Sequence, residues 1–130
     1  MKGGFLTFNI NEMSFNDDLR NRTKAFAVRI VRMYAKIVKS DETRIIGKQL
    51  LRSATSVAAN FRAVTRARSD KERFAKLSIV VEEVDETLFW LEILDEAELV
   101  KTEKLAELTK EAEELVKIFS SYRKKLKNER

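Results

Sequence analysis

Apolar residues recur with a helical period along almost the whole chain. Leu19, Phe26, Ile30, Met33 and Ile37 fall on one stripe, widened by Tyr34 and Val38. This predicts a first helix over residues 16–39, starting at Ser14 or Asn16, with Asp17 and Asp18 in a first turn where the helix dipole favours acids. Ser40 before Asp41 and Glu42 reads as the N-cap of a second helix over residues 41–68. Its stripe is Gly47, Leu50, Ala54, Val57, Phe61 and Val64, and its small residues allow close approach of another helix. Ser69-Asp70-Lys71-Glu72 reads as a reciprocal capping box opening a third helix over residues 70–96. Phe74, Leu77, Val81, Val84, Leu88 and Leu91 form one row on it, with Val80, Thr87 and Leu94 beside them. Two adjacent rows predict packing against more than one neighbour. Thr102 is expected to cap a fourth helix over residues 102–127, with Leu105, Leu108, Ala112, Leu115, Phe119, Tyr122 and Leu126 inside.

Four helices of about 25 residues, each near 38 Å long, with short connections predict an all-α, antiparallel, up-down-up-down four-helix bundle. One domain over residues 14–130 is expected, preceded by residues 1–13 as a flexible arm. The absence of proline and the presence of only three glycines fit this pattern.

Charge adds what the apolar pattern does not. The net charge is +5, but residues 20–76 carry +12 and residues 77–116 carry −10. No acid occurs between Arg20 and Lys39. Projected at about 100° per residue, Arg22, Arg29, Arg32, Lys36 and Lys39 fall in one arc beside the first stripe. Arg44, Lys48 and Arg52 lie four apart along the second helix. A one-sign surface of this kind predicts backbone-directed nucleic-acid binding through counterion release. The alternative is a protein-interaction scaffold in which the opposite blocks dock subunits or a partner, with no nucleic-acid role.

The candidate chemistry is sparse. With no cysteine and no histidine, disulfides, thiolate sites and the commonest metal ligand are absent. Glu83 and Glu86 could share a metal ion, but no facing acid follows Glu42 on the second helix or Asp18 on the first. A polar network of Arg52, Ser53, Asn60, Arg66, Glu83 and Glu86 is expected instead, with Asn60 bonding across helices. No enzyme, cofactor or metal site is expected. No run of about 18 apolar residues is present, and residues 1–10 lack the features of a signal peptide, so a cytoplasmic location is expected.

Several blocks carry a family resemblance. They are Thr43-Arg44, Gly47-Lys48-Gln49-Leu50-Leu51-Arg52-Ser53, Ser56-Val57-Ala58-Ala59-Asn60, Lys76-Leu77-Ser78-Ile79, then Glu83, Asp85-Glu86-Thr87-Leu88 and Trp90-Leu91. In this order they resemble the bacterial four-helix bundle family encoded in intervening sequences of 23S rRNA genes. The resemblance spans roughly residues 17–125. The family usually places Glu-Ala soon after the Asn, where this chain has Ala63-Val64. The resemblance implies a bundle that assembles as a ring-like homopentamer, is not an enzyme, and binds nucleic acid, RNA or an RNA–DNA hybrid. It extends to the accessory variability determinant of diversity-generating retroelements, and so implies a reverse transcriptase as a possible partner.

Overall fold

The computed structural model describes residues 10–129, which form four helices and no strand. They are α1 (Ile10–Lys36), α2 (Asp41–Thr65), α3 (Asp70–Glu96) and α4 (Thr102–Glu129). Contacts run α1 to α2, α2 to α3 and α3 to α4, while α4 returns to α1 more sparingly. The antiparallel sense is fixed by side-chain pairs. Asn16 and Arg22 of α1 meet Tyr122 and Glu111 of α4, and Arg73 of α3 also reaches Tyr122.

The expected stripes of α2 and α4 are buried in full. On α3 the fully covered row is Leu77, Val80, Val84, Thr87, Leu91 and Leu94, with Phe74, Val81 and Leu88 half-buried at its flank. This follows from α3 sitting between α2 and α4. Phe61 and Phe119 meet at the centre with ring centroids 5.2 Å apart. Each such side chain, withdrawn fully from water, contributes about 1.5–3 kcal/mol. On α1, Leu19, Phe26 and Ile30 are buried and Thr23 fills the gap, its hydroxyl donating to the Leu19 carbonyl. Val38 does not widen the stripe: it lies beyond the helix and is 90% exposed.

Several helix ends differ from the expected ones. α1 begins at Ile10, so Asn16 is interior and buried rather than a cap. Residues 10–13 are therefore helical, and the rest of the expected arm, residues 1–9, lies outside the described residues. α1 stops at Lys36 because Lys39 folds back, donating to the carbonyls of Tyr34 and Ile37 at 2.6 and 2.8 Å. A cation at a helix C-terminus satisfies free carbonyls and complements the dipole. α2 ends at Thr65, three residues short of Arg68.

Ser40 caps α2 in a capping box completed by the Thr43 hydroxyl. Ser69 accepts from the Glu72 amide, but the Glu72 carboxylate turns to Arg68 instead of closing the box. Thr102 opens α4 from inside the helix, and its hydroxyl donates to Asp95 across the connection. Among the described residues no helix is long and apolar enough to cross a membrane.

Candidate functional site

The α2–α3 seam gathers the densest polar cluster. Arg52 extends from α2 between two carboxylates one turn apart on α3. Its guanidinium donates to both oxygens of Glu83, at 3.3 and 3.4 Å, and to Glu86. Glu86 also accepts from the Trp90 indole at 3.1 Å. That bond and Arg52 hold the Glu86 carboxyl below its usual range against the opposing effect of burial. The two acids raise the Arg52 pKa, chiefly through hydrogen bonds from the guanidinium to Glu86 and then Glu83. Beneath them the buried Thr87 hydroxyl bonds Ser53 at 2.9 Å and the Glu83 carbonyl at 2.8 Å.

The expected network is thus assembled in part. Arg52, Ser53, Glu83 and Glu86 come together, and Thr87 and Trp90 complete them. Asn60 does not bond across helices: its amide donates to the carbonyl and hydroxyl of Ser56, one turn back on α2. Arg66 lies beyond α2, exposed, with its backbone closing the helix end. Among the described residues no three acidic side chains group as a metal site.

The basic candidates divide into two sets. Arg22 forms a forked pair with Glu111 of α4, at 2.6 and 2.7 Å, and reaches Glu114 at 2.9 Å. The Glu111 hydrogen bonds push its pKa up, against partial burial. Arg22 and Arg52 therefore tie neighbouring helices together, and Lys39 closes the end of α1. Arg29, Arg32, Lys36 and Lys48 are exposed and have no carboxylate partner among the described residues. Arg44 has only an exposed contact to Asp41 at 3.7 Å, a geometry worth little in water. The close approach of Tyr34 to Gly47 brings the end of α1 beside the start of α2, so Lys36, Arg44 and Lys48 share one end of the bundle.

Sequence reasoning missed two features. A groove of about 440 Å³ runs between α1 and α2, floored by Val28, Val31, Ala58 and Ala59, with Lys24, Arg32 and Arg62 at its edge. Val28 and Val31, three residues apart, were its legible signal, because they lie on α1 away from the core stripe. A second cavity of about 520 Å³ sits at the bundle end beside a buried hydrogen-bonded chain. There Arg73 donates to the Tyr122 hydroxyl at 2.6 Å, and Tyr122 donates to Asn16 at 2.9 Å.

A model of the 23S rRNA-intervening sequence protein family matches residues 16–121. Among solved structures, a protein of unknown function from the S23 ribosomal protein family of Bacteroides thetaiotaomicron VPI-5482 is similar. It shares 33% identity over 84% of this chain and 97% of that one, with a TM-score of 0.75. No curated protein matches. The matched span runs from inside α1 to the last turns of α4 and includes the Arg52–Glu83–Glu86–Trp90 cluster. The chain belongs to the 23S rRNA-intervening sequence protein family.

Proposed function

We propose that this protein is a non-enzymatic, oligomeric nucleic-acid-binding factor of the cytoplasm that grips the phosphate backbone of RNA or an RNA–DNA hybrid. The observation that carries this reading is the arc of Arg29, Arg32 and Lys36, exposed on α1 with no carboxylate partner among the described residues. Arg44 and Lys48 of α2 extend it. Unneutralised cations on one surface raise the local potential and attract a polyanion. Phosphate contact releases counterions and needs no base-reading groove element. Glu83 and Glu86 are engaged by Arg52, which disfavours a metal-dependent hydrolase at that pair.

The family's resemblance to retroelement accessory subunits supports a role beside a reverse transcriptase, with the bundle, as a ring-like homopentamer, holding template RNA. The test is reversal of Arg29, Arg32 and Lys36 to Glu, assayed on single-stranded RNA, duplex DNA and an RNA–DNA hybrid. Binding is lost while the helical content and melting midpoint are kept. Unchanged affinity in the triple variant refutes the reading.

A further inference from the structure

The cavity of about 520 Å³ opens between the start of α1, the start of α3 and the last turns of α4. It lies on the seam where α4 returns to α1 most sparingly. Its apolar walls are Phe15, Ile118 and Leu126. Phe15 is 46% exposed, although its ring meets that of Tyr122 with centroids 5.6 Å apart. The charged lining balances, with Arg73, Lys117 and Lys125 against Glu12, Asp70 and Glu129. A lining without net charge favours neither a polyanion nor a cation. A cavity of this size, in the range that buries a small molecule, has room for two apolar side chains.

The chain supplies a matching occupant. Residues 1–9 precede the described residues and join α1 at Ile10, two residues before Glu12 and five before Phe15. That separation is about 3 to 8 Å along the helix axis. From Gly3 to Asn9 the segment Gly-Gly-Phe-Leu-Thr-Phe-Asn carries no charge. Leu6 and Phe8 are two apart, the spacing that sets side chains on one side of an extended chain. Asn9, with Glu12 three residues on, has the spacing of a helix-capping pair. A capping residue takes an extended backbone, which directs the chain off the helix axis. Four extended residues span up to about 14 Å, enough to bring Leu6 from Ile10 back over Phe15. We propose that Leu6 and Phe8 enter this cavity of their own chain and strap the start of α1 to the end of α4.

Tethering favours this segment over a separate molecule, because a short linker holds its end near the cavity at millimolar effective concentration. Docking withdraws Leu6 and Phe8 from water and covers the open side of Phe15. It closes the same α1–α4 seam that Asn16 with Tyr122 and Arg22 with Glu111 tie farther along. The strap lies at the bundle end opposite Lys36, Arg44 and Lys48. The inference does not depend on nucleic-acid binding.

Two measurements on the full chain test it. Leu6→Ser with Phe8→Ser is expected to lower the melting midpoint by about 5–10 °C, while Thr7→Ser, between them, leaves it unchanged. The chain has no cysteine, so a single pair of cysteines can be introduced. Phe8→Cys with Ser121→Cys, at the cavity lining, is expected to form a disulfide within one chain. The comparison is Phe8→Cys with Arg68→Cys, an exposed position at the same bundle end but outside the cavity. The cavity pair is expected to bridge at least about tenfold faster, read on non-reducing gels that separate bridges within a chain from bridges between chains. An unchanged midpoint in the double-serine variant overturns the inference. So do equal bridging rates for the two pairs, or bridges formed mainly between chains, which assign the segment to a second copy.

Discussion

The ring of Tyr34 occupies the space in which residue 47 would carry a side chain. A Cβ on Gly47 would lie 2.7 Å from Tyr34 Cδ1 and closer still to Cε1. The other constraint on that ring is the Lys39 ammonium, 4.5 Å from its centroid, which also closes α1. Gly47 thus sets how closely α1 and α2 approach at the end where Lys36, Arg44 and Lys48 gather.

Gly47→Ala is therefore expected to destabilise. Alanine favours the helix by about 1 kcal/mol, but overpacking costs about 1–3 kcal/mol, and the ring cannot yield without disturbing Lys39. A net loss of up to about 2 kcal/mol follows, read from denaturant midpoints. In a Tyr34→Ala background the obstruction is gone, and Gly47→Ala becomes neutral or stabilising. A double-mutant cycle measures the difference.

Acid weakens the α2–α3 seam. Glu86 has its pKa depressed below the ordinary 4.5 by the Trp90 indole and Arg52. Its contribution is present above that ordinary value and is lost as pH falls through the depressed folded value. Glu86→Gln keeps an acceptor for Trp90 but removes the titration. Stability of the variant, measured by urea melts from pH 6 downward, is expected to fall less steeply with acid than that of the parent.

Tyr122→Phe breaks the buried chain from Arg73 to Asn16. It removes one acceptor of Arg73 and the donor to the Asn16 side-chain oxygen, both buried. Leaving a buried acceptor such as that of Asn16 short of its donor costs about 1–3 kcal/mol. A loss in that range is expected in chemical denaturation, with the helical spectrum unchanged.

The turn between α3 and α4 holds Glu98 at φ 58°, in the left-handed region. A side chain there costs roughly 1–2 kcal/mol, and glycine forfeits part of that gain through unfolded-state entropy. Glu98→Gly is expected to raise stability by about 0.5–1 kcal/mol, seen as a higher melting midpoint.

Local pattern was enough for the four helices, because each stripe repeats at the helical period and each is buried by its neighbours. The α3 span and the α4 row needed no other information. Distant partners were not legible. Asn16 looks like a helix cap in sequence, yet it is buried because Tyr122, 106 residues away, donates to it. Arg22 looks like a surface cation until Glu111 and Glu114 are brought across from α4. Arg52 with Glu83 and Glu86 could be anticipated, since one cation facing two acids a turn apart is a spacing that sequence carries. Asn60 could not, because Ser56 offered a nearer bond on the same helix.

The salt dependence of nucleic-acid binding tests the central claim most directly. Five cations per protomer, Arg29, Arg32, Lys36, Arg44 and Lys48, predict a slope of log affinity against log salt of about −4.5 on duplex and about −3.5 on single strands. Duplex affinity then falls roughly 500-fold between 50 and 200 mM salt. A slope near zero, or no retention of RNA, duplex DNA or hybrid at 50 mM salt, would contradict the account and assign the free cations to protein contacts.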